Sequence, residues 1–279
     1  MQQFKGKTAF VTGGASGIGF AMAQAFAAEG MKVMLADIEP EPLAAAVCKL
    51  KETSSHVQGV HCDVSDFNDV ERAAQETFTA FGAVHLLCNN AGVGGDGSID
   101  NISLDTWRWV LDVNLMSVVH GIKAFLPHMR AHGESGHIVN TASMAGMQSE
   151  GGFNPYAASK YAVVSMSEGM AKQLREHNIG VSVLCPSYVN TRIGKSGRNR
   201  QEKYGPMKGP DPASPAGIWA KELAKRLREG RDPTEIAQRV VEAIRDNELY
   251  IFTHPEWNWE VEDRFAAIQK AMDKAATRD

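Results

Sequence analysis

The sequence predicts an α/β fold, a doubly wound, mainly parallel sheet of seven strands with helices on both faces. Three observations carry that expectation. Apolar runs of about five residues alternate with longer helical stretches, as repeated strand-helix-strand units require. Those runs do not alternate polar with apolar residues, which suits strands covered on both faces. The composition, 279 residues with 43% hydrophobic and 22% charged, excludes a mainly disordered or collagen-like chain and is long enough for a sizeable core.

The elements follow in order. Residues 7–11 form a first strand that ends in Gly-rich sequence, and 18–28, rich in Ala and Met, a first helix. Residues 32–36 are a second strand closed by Asp37. Pro40 and Pro42 open a helix that runs on through 43–50. A third strand at 57–62, a helix at 68–81 and a fourth strand at 84–88 come next. Ser103 or Asp105 caps a long helical region toward Met129, and Pro127 is expected to kink or end it. Residues 137–141 are a fifth strand, 156–177 a long helix and 180–184 a sixth strand.

The pattern lapses after Pro186. The stretch 187–215 is rich in Gly, Ser and Pro, and Arg192, Lys195, Arg198, Arg200, Lys203 and Lys208 make it basic. A loop this long is usually functional. Residues 217–228 and 233–245 read as helices, the second capped by Asp232 with Pro233 at its first position. Residues 249–252 suit a seventh strand. Val261, Phe265, Ile268 and Met272 recur at helical spacing, so the tail is amphipathic. Residues 1–279 are read as one domain, with a substrate-loop region at 187–230 and a helical extension at 255–279.

The charge balance, 29 Lys and Arg against 33 Asp and Glu, leaves a net −4, with no global pull toward nucleic acid or an anionic membrane. The apolar segments read as too short and interrupted for a membrane span. No secretory signal pattern precedes the first strand, so a cytoplasmic setting is expected. Cys48, Cys62, Cys88 and Cys185 lie far apart and read as buried thiols rather than a disulfide framework or zinc site. No metal is expected. His61 and Cys62 would point to opposite faces of a strand.

Thr12-Gly13-Gly14-Ala15-Ser16-Gly17-Ile18-Gly19 links the first strand to the first helix. There, glycines allow a tight turn and let a pyrophosphate approach backbone N–H groups at the helix start. The lack of a Gly-Lys-Ser/Thr ending disfavours phosphoryl transfer. Asp37, 18 residues after Gly19, can accept hydrogen bonds from an adenine-ribose diol and would repel a 2′-phosphate. Its neighbours Ile38 and Glu39 offer no compensating cation, so NAD is expected over NADP. Asp63, after the third strand, suits either an adenine edge or a helix cap.

Further along stand Asn89-Asn90-Ala91-Gly92, Asn114, Ser143 and Tyr156-Ala157-Ala158-Ser159-Lys160. With the Gly-rich stretch, their joint order resembles the short-chain dehydrogenase/reductase family in its single-domain form, over residues 5–252. The resemblance implies a Rossmann-type fold and NAD-linked interconversion of a secondary alcohol and a ketone. The residues themselves support it. Tyr156 and Lys160 are i and i+4 on one helix and share a face. An ammonium there favours the phenolate, so Tyr156 can take or give the hydroxyl proton. Ser143, after the fifth strand, can hydrogen-bond the substrate oxygen.

By resemblance, Lys160 also holds the nicotinamide ribose and Asn114 anchors a water of the proton relay. Pro186-Ser187-Tyr188-Val189-Asn190-Thr191 resembles the family segment beside the nicotinamide, with Ser187 where glycine is usual; Val189 and Thr191 would meet the carboxamide. The candidate cofactor-binding residues are Gly13, Ser16, Gly17, Ile18, Gly19, Asp37, Asp63, Val64, Asn90, Ala91, Gly92, Tyr156, Lys160, Pro186, Val189 and Thr191. The candidate catalytic residues are Asn114, Ser143, Tyr156 and Lys160.

Met144, Met147, Phe153 and Tyr188 suggest an adaptable apolar pocket for a bulky hydrophobic or aromatic alcohol. The basic loop reads as a solvated lid, or as a site for an anionic substrate. The family resemblance implies a homodimer or homotetramer, and Trp257, Trp259 and the Phe265 stripe pack on this chain or a neighbour. Two other readings are an NADPH-dependent carbonyl reductase and a dinucleotide-binding scaffold with little turnover.

Overall fold

The computed structural model describes residues 1–95, 99–149, 151–152, 154–207, 209, 211 and 213–276. Phe153 and Lys208, named above, lie outside them. Seven strands form one parallel sheet: β1 (Thr8–Thr12), β2 (Lys32–Asp37), β3 (Val57–His61), β4 (Leu86–Asn89), β5 (Gly136–Thr141), β6 (Ile179–Cys185) and β7 (Tyr250–Phe252). The order is β3-β2-β1-β4-β5-β6-β7. Chain direction across the sheet reverses between β1 and β4, and in open parallel sheets ligands bind at the carboxyl ends of such a switch point.

The helices are α1 (Gly17–Ala28), α2 (Pro40–Lys51), α3 (Phe67–Phe81), α4 (Leu104–Leu111), α5 (Ser117–His132), α6 (Asn154–Gln173), α7 (Pro215–Glu229), α8 (Pro233–Asp246) and α9 (Asn258–Ala276). Their starts follow local chemistry. Asp66, Ser103, Ser214 and Asp232 each accept a first-turn backbone N–H. Both faces of the sheet are covered. On β1, Ala9 and Val11 join a core with α1, α2 and α8, while Phe10 points into a second with α3 and α5. There its ring lies 4.4 Å from that of Phe125.

Three sequence expectations need correction. Pro127 does not end its helix; α5 runs on to His132. Phe125 and Met129, buried on the sheet, hold the chain helical through the proline, so packing outweighs its local cost. Second, the continuous helical run Leu104–His132 does have the length and mean hydropathy, 1.3, of a membrane-crossing helix. Burial of Trp109, Val110, Phe125 and Met129 in the core accounts for that apolar character. Third, Cys48 is exposed on α2, whereas Cys62, Cys88 and Cys185 are buried.

Candidate active site

One cleft crosses the carboxyl edge of the sheet. Gly13, Ser16, Gly17 and Ile18 line it from the first turn and the start of α1. Asp37, Asp63 and Val64 line one end, and Asn90, Ala91 and Gly92 the middle. Ser143, Tyr156, Lys160, Pro186, Val189 and Thr191 also border it. Two sequence-selected residues stand behind its wall. A Cβ on Gly19 would meet the Gly13 carbonyl oxygen at 2.2 Å, so Gly19 lets α1 pack against the turn. Asn114 is 1% exposed. It sits in the π-helical turn Asp112–Met116, where its Oδ1 accepts Val93 N–H at 2.7 Å and its Nδ2 donates to the Val93 carbonyl at 2.9 Å.

The turn after β1 is stitched to the segment after β4. Thr12 Oγ1 accepts the N–H groups of Asn90 and Ala91, and Asn90 Nδ2 donates to the Thr12 carbonyl. The start of α1 opens into the cleft, and Ser16 makes no side-chain capping bond there. Asp37 is 7% exposed at the end of β2. Its Oδ2 accepts Ala15 N–H at 2.9 Å and its Oδ1 accepts Glu39 N–H at 3.0 Å. Each oxygen keeps a lone pair for a ligand. A helix N-terminus that suits a pyrophosphate, a close turn and a carboxylate placed for a ribose diol together fit a dinucleotide.

At the other end Lys160, 3% exposed, donates from Nζ to the Thr141 carbonyl at 2.8 Å. The Nζ lies 5.5 Å from the centre of the Tyr156 ring. Burial lowers the Lys160 pKa to about 8. Ser143 Oγ accepts Ala145 N–H at 3.1 Å and donates to the Pro186 carbonyl at 3.3 Å. The Ser143 hydroxyl, from the turn after β5, and Tyr156 and the Lys160 ammonium, both from α6, thus face one cleft.

Some neighbours were not legible in the sequence. His254 Nδ1 accepts Ser187 N–H at 3.2 Å, and its Nε2 faces the Tyr188 carbonyl at 3.0 Å. A neutral imidazole protonated at Nε2 satisfies both, and burial lowers its pKa. The register that pairs Cys185 with Phe252 brings His254 there. Tyr188, Leu223, Leu227 and Trp257 line the cleft beyond Ser187. Met144 and Met147 do not; they are buried, Met147 against α6 and β6. The basic stretch turns away from the substrate end as well. Arg192 and Arg198 bind Glu39, Arg200 lies over the Trp109 ring, and Lys203 reaches Ser65. Among the described residues, His85, His132 and Glu134 bring possible metal ligands within 4.8 Å of one another. All four ring nitrogens of those histidines are already engaged in hydrogen bonds.

The comparisons agree with this geometry. Residues 7–202 match the short chain dehydrogenase family. A short-chain dehydrogenase/reductase of Burkholderia phymatum, solved in complex with NAD, is 39% identical and superposes with a TM-score of 0.93, covering 97% of each chain. The C alpha-dehydrogenase of Sphingobium sp. is 35% identical over 96% of this chain and 87% of its own length. The 3beta-hydroxysteroid dehydrogenase 2 of Eggerthella lenta is 35% identical over 71% of this chain and 76% of its own. With the ordered Gly-rich turn, Ser143, Tyr156 and Lys160 on one cleft, the chain belongs to the short-chain dehydrogenase/reductase family of oxidoreductases.

Proposed function

We propose that this oxidoreductase interconverts a bulky hydrophobic or aromatic secondary alcohol and its ketone, with NAD as its cofactor. Asp37 supports NAD, since its carboxylate matches a ribose diol and repels a 2′-phosphate. The relative solved with NAD supports it too. The bound nicotinamide supplies the hydride acceptor. Tyr156 takes the hydroxyl proton at its phenolic oxygen, and the Ser143 hydroxyl, turned away from the Pro186 carbonyl, donates its one hydrogen bond to the substrate oxygen. The Lys160 ammonium favours the phenolate and keeps two N–H bonds for the ribose after serving the Thr141 carbonyl. Asn114 would orient a relay water from behind the wall.

The observation that carries the substrate class is the aromatic pair beside Ser187. Tyr188 and Trp257 meet edge to face with centroids 6.1 Å apart, and Leu223 and Leu227 of α7 join them along the cleft. Arg226 lies over the Tyr188 ring and donates to its hydroxyl at 3.3 Å, which fixes that wall. One relative named for an alcohol of such bulk, a 3beta-hydroxysteroid dehydrogenase, supports the class.

The single-domain reading is supported by one sheet and one cleft whose lining runs from Gly13 to Glu260. Buried free thiols support a cytoplasmic setting. The exposed apolar stripe of α9 supports a homodimer or homotetramer.

The test is direct. Aryl and polycyclic secondary alcohols are expected to reduce NAD faster than short aliphatic ones, read by NADH absorbance. Tyr156→Phe is expected to lower turnover at least about 100-fold while NADH affinity, read by fluorescence titration, is retained. Preference for small aliphatic alcohols would sink the substrate class. Full turnover by the Phe variant would sink the role of Tyr156.

A further inference from the structure

The stretch after β6 crosses the cofactor cleft rather than the substrate end. Thr191 passes the phosphate turn, with its Cγ2 3.0 Å from where a Gly17 Cβ would lie. Ser196 Oγ then accepts Gly94 N–H at 2.9 Å. At the far end, Gln201 Nε2 donates to Asp63 Oδ1 at 2.8 Å. Residues 191–201 therefore form a strap from the Ser143 side of the cleft to the Asp37 side.

The strap's anchor at the Asp37 side is Glu39. Arg198 donates to both its carboxylate oxygens, Nε to Oε1 at 3.0 Å and Nη2 to Oε2 at 2.7 Å. Arg192 Nη2 adds a bond to Oε2 at 3.2 Å, and Asn199 Nδ2 another at 3.4 Å. Arg198 is fixed further by the carbonyls of Arg192 and Lys195. Glu39 is two residues past Asp37, and Asp37, Glu39, Arg192 and Arg198 all line the same end of the cleft. Two guanidinium groups thus sit beside the carboxylate that is matched to the adenosine ribose. Unpaired, they are the chemistry that recognises a phosphate.

We propose that Glu39 is a specificity-determining residue of the cofactor site, which occupies Arg192 and Arg198 and so denies them to the 2′-phosphate of NADPH. Discrimination then has two parts. Asp37 repels the phosphate directly, and Glu39 takes the cations that could have offset that repulsion. At this end Asp37, Glu39 and Asp63 stand with the two guanidinium groups, and it is Glu39 that both arginines pair with. Removing the Glu39 charge releases both guanidinium groups from that pairing. The inference concerns the adenosine end and does not depend on which alcohol the other end accepts.

The experiment titrates wild-type and Glu39→Gln protein with NADH and with NADPH, following nicotinamide fluorescence, with no turnover involved. Wild-type protein is expected to bind NADH and to bind NADPH weakly; failure to bind NADH would remove the cofactor reading and this proposal with it. In Glu39→Gln, NADPH affinity is expected to rise about tenfold, as for a charge-assisted hydrogen bond gained. NADH affinity should hold, and the NADPH gain should shrink as salt is raised. Replacing Arg192 and Arg198 by Ala in the Glu39→Gln background should return NADPH to its wild-type affinity. If Glu39→Gln fails to fold, the Arg192→Ala/Arg198→Ala protein with Glu39 intact serves instead. There the uncovered carboxylate should lower the affinity for NADPH relative to NADH. An unchanged NADPH to NADH ratio in the folded variant would overturn the proposal, as would an equal gain for both cofactors.

Discussion

Lys160 shows what a buried ammonium costs the fold. Burial lowers its pKa to about 8, whereas an unfolded lysine titrates at about 10.4. The folded protein therefore binds this proton less tightly than the unfolded chain. Below about pH 8 the group is charged in both states, and the buried charge is a full cost to folding. Stability from this group rises between about pH 8 and about pH 10.4 as the folded state sheds the proton first. Lys160→Met is accordingly expected to gain about 1–2 kcal/mol at pH 7, after loss of the hydrogen bond to Thr141 is deducted. It should also abolish turnover. Denaturant melts at pH 7 and pH 10 check the sign, since the gain should shrink at the higher pH. A variant less stable than wild type at pH 7 would refute it. At this scale the sequence was informative wherever partners are close in the chain. Tyr156 and Lys160 share a helix face by spacing alone. Glu39 and Arg198, separated by 159 positions, gave no such signal.

Among the elements, α1 depends on one atom's absence. A Cβ on Gly19 would strike the Gly13 carbonyl at 2.2 Å and Asn90 Nδ2 at 2.6 Å, so α1 could not lie where it does. Gly19→Ala is expected to cost about 1–3 kcal/mol as an overpacking change. It should also weaken NADH binding, because the displaced groups shape the cleft. Thermal melts and NADH titration check both, and wild-type values in either would show that α1 is not held this way. Element type was legible because strand and helix periods differ, and each strand emerged within about two residues of its expected place. The π-helical turn at Asp112–Met116 was not. It arises where Asn114 reaches the Val93 backbone, a contact that local spacing cannot express.

For the whole molecule, the unpartnered surface is α9. None of its residues is buried, and Trp259, Phe265, Ile268 and Met272 are exposed on it. Arg264 over the Tyr161 ring and the partly buried Val261 tie it to the rest of the chain. An apolar stripe of this kind suits contact with a second copy. The double variant Phe265→Glu/Ile268→Glu is expected to lower the oligomeric mass in light scattering while the circular dichroism spectrum stays that of a folded α/β protein. An unchanged mass would sink the reading of α9 as a contact between copies.

The sequence by itself determined the strand-helix alternation, the parallel sheet, the Gly-rich turn after β1, the place of Asp37 at the end of β2 and the Ser143, Tyr156 and Lys160 set. Each of these is written in spacing or in the ends of successive elements, where a local period or a cap dictates the geometry. Only the tertiary structure decided what surrounds them. In the sequence Ile38 and Glu39 offer no cation beside Asp37, yet the strap delivers two arginines to Glu39 from beyond β6. His254 reached Ser187 only because β7 pairs with β6. The basic stretch, open in sequence to an anionic substrate, spends two of its arginines on that carboxylate. Coulombic and hydrogen-bond partners act through distance in space, and the sheet order, not chain proximity, sets that distance.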